Sequence, residues 1–230
     1  MIPWTQLGIA KIPDNGGELE LTQRDKEFSI HLKGVRGELM NSRMHSSEVA
    51  LSDLGCAHIK NIENAKVLVG GMGMGFTLAA ALKATTESST IVVAELVPDV
   101  IEWNKGPLGE CAGRPLDNKR VVVKLGDIAE LFKTKPGTEA QEEFDAILLD
   151  VDNGPEGFTH GDNDNLYSLN SLASIRKTLK SNGILAVWSA WHDPKFTTQL
   201  KKSKFKVETK TVRAHNGKGS KHTIYLAKKV

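Results

Sequence analysis

The chain has 230 residues, a length that fits one α/β domain with a modest extension and suffices to bury a sizeable core. Hydrophobic residues make up 40% and charged residues 25%, and the net charge of +2 gives no electrostatic case for a nucleic-acid partner. Cys56 and Cys111 are the only cysteines and form no CxxC pair, which argues against a disulfide framework or a zinc site. No apolar run approaches the roughly 18 residues of a membrane span. The start, MIPWTQLGIAKIP, lacks the basic-then-apolar order of a signal peptide, so a cytoplasmic location is expected. Basic residues thicken toward the C-terminus, in KKSKFK and around Lys218 and Lys221, and read as a solvated face.

In chain order, ELELT (18–22) and EFSIHLK (27–33) alternate apolar and polar residues, the mark of half-buried antiparallel strands. Gly34 and Gly37 punctuate the turn that follows. Residues 1–45 are therefore expected to form a small β-element, with the rest of the chain, 46–230, as the main domain. A helix is predicted from Ser46 or Ser47, either of which can cap it, through EVALSDLGCAHI.

Strand-like and helical segments then alternate. KVLVG (66–70) precedes TLAAALKA; TIVVAEL (90–96) precedes PDVIEWNK; RVVVKLG (120–126) precedes IAELFK. FDAILLD (144–150) precedes LNSLASIRKTLK, and GILAVWSAW (183–191) precedes PKFTTQLKKS. Such repetition predicts a mostly parallel sheet covered by helices on both faces. KVETKTVRAHN and HTIYLAKK, joined by a Gly-rich turn, predict a terminal antiparallel hairpin. The expected fold class is thus α/β and Rossmann-like, with a seven-stranded sheet.

The chemistry gathers at the strand ends. VLVGGMGMGFTL puts Gly71, Gly73 and Gly75 between the first parallel strand and its helix. Glycine there lets a ligand approach the backbone, and the helix start offers free N–H groups. Glu95 ends the second strand about 20 residues further on, the spacing at which a carboxylate accepts from ribose hydroxyls. Pro98 suits the first turn of the next helix. Asp127 follows the third strand; it fits either an adenine amine, with Ile128 packed on the ring, or the N-cap of the next helix. Asp150 and Asp152, in DVDNGPEG, end the fourth strand, where neighbouring carboxylates suit general-base work or ammonium binding. The polar loop FTHGDNDNLYS carries His160, Asp162 and Asp164; a metal site is not expected there, and a solvated loop or lid is. Trp188, Trp191 and His192 close the fifth strand, as core packing or as pocket lining. His160 and Trp191 are the candidates in these two segments for contact with an acceptor substrate.

KVLVGGMGMGFTL, VVAELVPDVIEW, GDIAEL, FDAILLDVDNGPEG and LASIRKTLKSNGILAVW together resemble, in order and spacing, the class I S-adenosylmethionine-dependent methyltransferases. Within that superfamily the chain is most similar to the spermidine synthase (aminopropyltransferase) branch, over about residues 18 to 190. The resemblance implies that Gly71, Gly73 and Gly75 line the methionine moiety, Glu95 holds the ribose, Asp127 and Ile128 hold the adenine, and Asp150 sits beside the sulfonium. It also places Glu48, in MHSSE, where that branch carries a Tyr-His-Glu element that contacts substrate. A dimer and a small-molecule acceptor are expected on the same ground.

Departures from the branch decide the functional reading. Met74 stands where the family loop has an Asp, the acids of DVD are spaced i, i+2, and Val35-Arg36-Gly37 replaces the region of a polyamine-binding Gln. The nucleoside site reads as retained and the polyamine site as eroded. The leading expectation is therefore a methyltransferase that uses S-adenosylmethionine on an unknown small molecule. The alternatives are an aminopropyltransferase that uses decarboxylated S-adenosylmethionine, and a non-catalytic protein that binds a nucleoside such as methylthioadenosine. A nicotinamide enzyme is disfavoured because Phe76 occupies the last Gly position of GxGxxG.

Overall fold

Short alternating segments build an antiparallel sheet at the N-terminus. In the computed structural model, which describes residues 2–133, 143–151, 166–215 and 218–230, β1 (Thr5–Lys11), β2 (Glu18–Arg24), β3 (Glu27–Leu32) and β4 (Met40–Asn41) pair in that order. Leu19 and Leu21 of β2 are buried while Glu18, Glu20 and Thr22 are less so, the period-two pattern of a sheet with one covered face. The sequence reading foresaw β2 and β3 and missed β1 and β4.

α1 (Ser46–Cys56) begins where expected, but neither serine caps it. His45 occupies the N-cap position and no side chain bonds there. Ser47 instead donates its hydroxyl to the Glu48 carboxylate at 2.7 Å. The helical stretch ends at Cys56 and passes into a 3₁₀ turn over Ala57–Ile59.

The remaining elements alternate. β5 (Lys66–Gly70) leads to α2 (Phe76–Ala84), β6 (Thr90–Glu95) to α3 (Pro98–Lys105), and β7 (Val121–Leu125) to a 3₁₀ turn over Ile128–Phe132 rather than the α-helix expected there. β8 (Phe144–Leu149) is followed in the described residues by α4 (Leu169–Thr178), and β9 (Leu179–Ser189) by α5 (Pro194–Lys202). β10 (Phe205–His215) and β11 (Lys218–Lys229) form the predicted hairpin. The sheet has seven strands in the order β10-β11-β9-β8-β5-β6-β7. β5 to β9 pair in parallel, and β11 joins β9 antiparallel.

Strand alternation divides the core into two layers. Val67 and Val69 of β5, Ile91 and Val93 of β6, and Ala146 and Leu148 of β8 enter one cluster. Leu68, Val92, Ile147 and Leu149 enter the other, with Leu172 and Ile175 of α4 and Phe196 and Leu200 of α5. Leu19, Leu21, Phe28 and Ile30 belong to the first cluster, so the N-terminal sheet shares a continuous apolar core with one face of the parallel sheet. Among the described residues, no helix is long and apolar enough to cross a membrane.

The order of strands fixes where a ligand can enter. From β5 the chain moves outward to β6 and β7, then returns to the other side of β5 with β8. The crevice at the carboxyl ends of β5 and β8 is the switch point of such a sheet, and ligands bind there because adjacent loops diverge.

Candidate active site

Gly71 leaves β5 with φ +87° and passes so close to β8 that a Cβ would lie 2.5 Å from the Asp150 carbonyl oxygen. Only glycine tolerates both the left-handed backbone and that approach. Two ladder bonds continue past the strands and lock the crossing: Gly71 N–H donates to Ala94 O at 2.9 Å, and Asp150 N–H to Gly70 O at 3.0 Å. Gly75, φ +85°, turns the chain into α2.

The loop between them is held from two sides. The Glu95 carboxylate accepts from Met72 N–H and Val97 N–H, each at 2.8 Å. Burial raises the Glu95 pKa and these backbone donors oppose the rise. The Asn104 amide donates to Gly73 O at 2.8 Å and to Val100 O at 2.9 Å. Glu95 thus shapes the glycine loop in addition to lining the ligand cavity.

That cavity measures about 660 Å³. Gly71, Gly73, Glu95, Asp127, Ile128 and Asp150 all line it. Six residues spread over four strand ends therefore converge on one space, as the sequence positions implied. Asp127 is also the N-cap of the 3₁₀ turn that follows: its carboxylate accepts from Ala129 N–H at 2.8 Å. The dimensions and lining suit an adenosyl group, with Ile128 supplying an apolar surface and the Glu95 and Asp127 carboxylates supplying polar partners. Ile12, Asp14, Leu19 and Ile30 of the N-terminal segment close part of the wall. No sequence signal pointed to them, because they reach the site only through tertiary packing.

A smaller cavity of about 110 Å³ adjoins the loop on the side of α1. Leu39, Met40, Met72, Met74, Phe76 and Trp188 give it an apolar wall, and Glu48 and Asp150 are its charged lining side chains among the described residues. Thr77, on the first turn of α2, donates to Asp150 Oδ2 at 2.5 Å. Burial and then the charge of Glu48 push the Asp150 carboxyl up to about 7, against the lowering effect of the Thr77 hydroxyl. Glu48 is raised as well, by burial, with its bond from Ser47 opposing. Both carboxyls are thus raised above their ordinary range, the direction that brings a carboxyl group closer to the pH at which it can exchange a proton.

Trp191 is about 38% exposed past the end of β9 and lines neither cavity, whereas Trp188, three residues earlier, lines the smaller one. The strand end thus presents a different indole to the site from the one favoured on sequence. Thr77 had no signal in the sequence beyond its place after the glycine loop. Asp152 and His160 lie outside the described residues. Among the described residues, no cluster of His, Cys, Asp and Glu could hold a metal ion.

A doubly wound sheet with a GxGxG loop after its first parallel strand, an acid ending the second, and a carboxylate at the switch point defines the class I S-adenosylmethionine-dependent transferase fold. The family model for the spermine/spermidine synthase domain matches residues 44–215, and the chain belongs to that family. A spermidine synthase solved with the transition-state analogue AdoDATO is similar over 98% of this chain and 72% of its own, at 16% identity and a TM-score of 0.72. The spermidine synthase of Thermotoga maritima is similar over 98% and 73%, at 16% identity and a TM-score of 0.70. A probable spermidine synthase of Corynebacterium glutamicum ATCC 13032 is similar over 96% and 79%, at 11% identity and a TM-score of 0.65. These likenesses establish the fold. No curated protein matches the chain.

Proposed function

We propose that the protein transfers an aminopropyl group from decarboxylated S-adenosylmethionine to an amine, with Asp150 as the base. The observation that carries this reading is the lining of the smaller cavity: two carboxylates, Glu48 and Asp150, and no cationic side chain among the described residues. An intact S-adenosylmethionine tail carries its own carboxylate, which these two acids repel. The decarboxylated tail ends in an ammonium alone, which they attract. Methyl transfer, the leading expectation on sequence, therefore gives way to the aminopropyl alternative, and membership of the spermine/spermidine synthase family supports the same choice.

The residues divide the work by position. Gly71 and Gly73 bring backbone close to the donor, Glu95 accepts from its ribose, and Asp127 and Ile128 receive its adenine. Glu48 holds the donor ammonium. Asp150 removes a proton from the acceptor ammonium and later passes it to water. The freed nitrogen lone pair forms a C–N bond to the methylene on sulfur. The C–S bond breaks, its electron pair stays on sulfur, and neutral methylthioadenosine departs. Most of the acceleration on this scheme comes from holding nitrogen, carbon and sulfur in line, with proton removal adding to it.

The test is product analysis. Incubation with decarboxylated S-adenosylmethionine and a mixture of primary amines is expected to release methylthioadenosine in step with a mass gain of one aminopropyl group on an amine. Release of S-adenosylhomocysteine from intact S-adenosylmethionine, with no reaction of the decarboxylated donor, would return the assignment to methyl transfer.

A further inference from the structure

We infer that Thr77 is a positioning residue of the transfer: its hydroxyl holds one oxygen of the Asp150 carboxylate and leaves the other to take the proton from the acceptor. The inference rests on the aminopropyl-transfer reading above, in which Asp150 is the base.

The backbone of Asp150 is fixed, because its N–H donates to Gly70 O at 3.0 Å. Its carboxylate plane is not fixed by the backbone, since the last torsion of an aspartate is broad and two-fold. One well-placed donor removes that freedom. Thr77 Oγ1 supplies it, donating to Asp150 Oδ2 at 2.5 Å between residues 73 apart in sequence. A threonine within a helix ordinarily turns its hydroxyl to a carbonyl three or four residues back. Here it reaches across to the end of β8 instead.

Thr77 is itself anchored. It is the second residue of α2 and is 3% exposed. Its carbonyl accepts from the fully buried Ser52 hydroxyl at 2.7 Å. Ser52 lies four residues after Glu48 on α1, so the two share one helix face. That face carries Glu48 directly and reaches Asp150 through Ser52 and Thr77. Both carboxylates of the smaller cavity are thereby tied to α1.

The same bond acts on charge. A hydroxyl that donates to a carboxylate favours the ionised form, and Thr77 lowers Asp150 against the opposing effects of burial and of Glu48. Without the hydroxyl the base is both less well aimed and protonated up to a higher pH. Valine keeps the shape of threonine in this buried place and removes only the donor. Every other group near Asp150 acts alike in the parent and in its variants, so the comparison isolates the hydroxyl.

The experiment compares the parent with Thr77→Val and Thr77→Ser. Turnover is read as methylthioadenosine release from decarboxylated S-adenosylmethionine with a mixture of primary amines. Titration of the Asp150 carboxyl is followed by carbon-13 NMR, with Asp150→Asn identifying its signal. Thr77→Val is expected to lose at least about tenfold in kcat while its methylthioadenosine affinity by calorimetry stays within about twofold. Its Asp150 midpoint is expected to move upward by at least about half a pH unit. Thr77→Ser keeps the hydroxyl and is expected to recover the midpoint and most of the rate. A Thr77→Val chain with the parent's kcat or the parent's midpoint overturns the inference and leaves the reading of the site intact. A Thr77→Ser chain as slow as Thr77→Val does the same, because it assigns the effect to packing of the methyl group. No release from the parent overturns that reading and the inference with it. Thr77→Ala takes the place of Thr77→Val should valine prevent folding.

Discussion

Asp150→Asn is expected to slow aminopropyl transfer by about 10²–10⁴-fold, the range for loss of a positioned general base. The substitution preserves shape and removes the charge. Thr77 can still bond to the amide oxygen, so donor binding is expected to change much less than turnover. The pH profile carries a second signature. With Asp150 pushed up to about 7 by burial and by Glu48, the rate is expected to rise through that pH as the carboxyl ionises. Glu48→Gln removes the like charge and shifts this inflection downward.

Stability moves the opposite way. Asp150 has a folded-state pKa raised above its ordinary 3.8, so it binds its proton more tightly in the folded chain than in the unfolded one. Its contribution is fully present below about 3.8 and is lost as the pH rises through about 7. Asn never ionises and escapes this loss. The variant is therefore expected to melt above the parent at pH 8 while being nearly inactive. Thermal melts and initial rates on the same samples check both halves. Retention of the parent's rate by Asp150→Asn would remove Asp150 from the catalytic role.

Gly71→Ala has the next largest expected effect, and it falls on donor binding. Its Cβ would sit 2.5 Å from a backbone oxygen, so no side-chain rotation relieves the contact. Either the loop leaves Asp150 or β8 shifts, and both disturb the floor of the larger cavity. The left-handed backbone adds about 1–2 kcal/mol of folding cost. A loss of at least about tenfold in methylthioadenosine affinity is expected by calorimetry, a shift of about 1.4 kcal/mol. Gly113 provides the control: its φ is +77° and a Cβ there meets nothing within 4 Å. Gly113→Ala carries the backbone cost alone and is expected to leave nucleoside affinity unchanged. Equal losses in the two variants would show that the close approach at Gly71 is not what shapes the site.

The parallel sheet was legible because each of its strands is an apolar run followed by a helical pattern, and burial on both faces makes such runs continuous. The hairpin was legible from its turn. β1 was not. Leu7 and Ile9 are each 42% exposed on an edge strand, and the covered face carries only the small residues Gly8 and Ala10, so TQLGIAK shows its large apolar residues on the wrong face for detection. Gly8 adds to the disguise, since glycine weakens a strand; it is there because a Cβ would come within 2.7 Å of Trp103 Nε1. The α-helix expected over IAELFK fails for a local reason as well: Asp127 caps a single 3₁₀ turn and the chain leaves it at Lys133.

The site divides along the same line. Gly71, Gly73, Glu95, Asp127, Ile128 and Asp150 line one cavity, and Gly75 the smaller one beside it, because a parallel sheet places the carboxyl ends of its strands on one rim, so sequence order translates into position. Glu48 came from family resemblance alone. Thr77, Asn104 and Trp188 act through contacts between segments distant in sequence, which no local pattern encodes. The choice between donors turns on two observations of different kinds: Met74 in place of Asp removes a carboxylate from the loop, while the carboxylates that remain, Glu48 and Asp150, face the same small cavity with no cation among the described lining residues.

The most direct measurement is a pair of calorimetric titrations, of decarboxylated and of intact S-adenosylmethionine, under identical conditions. An unpaired carboxylate placed beside two acids predicts at least about tenfold weaker binding of the intact donor. Equal affinities, or tighter binding of intact S-adenosylmethionine, would contradict the account.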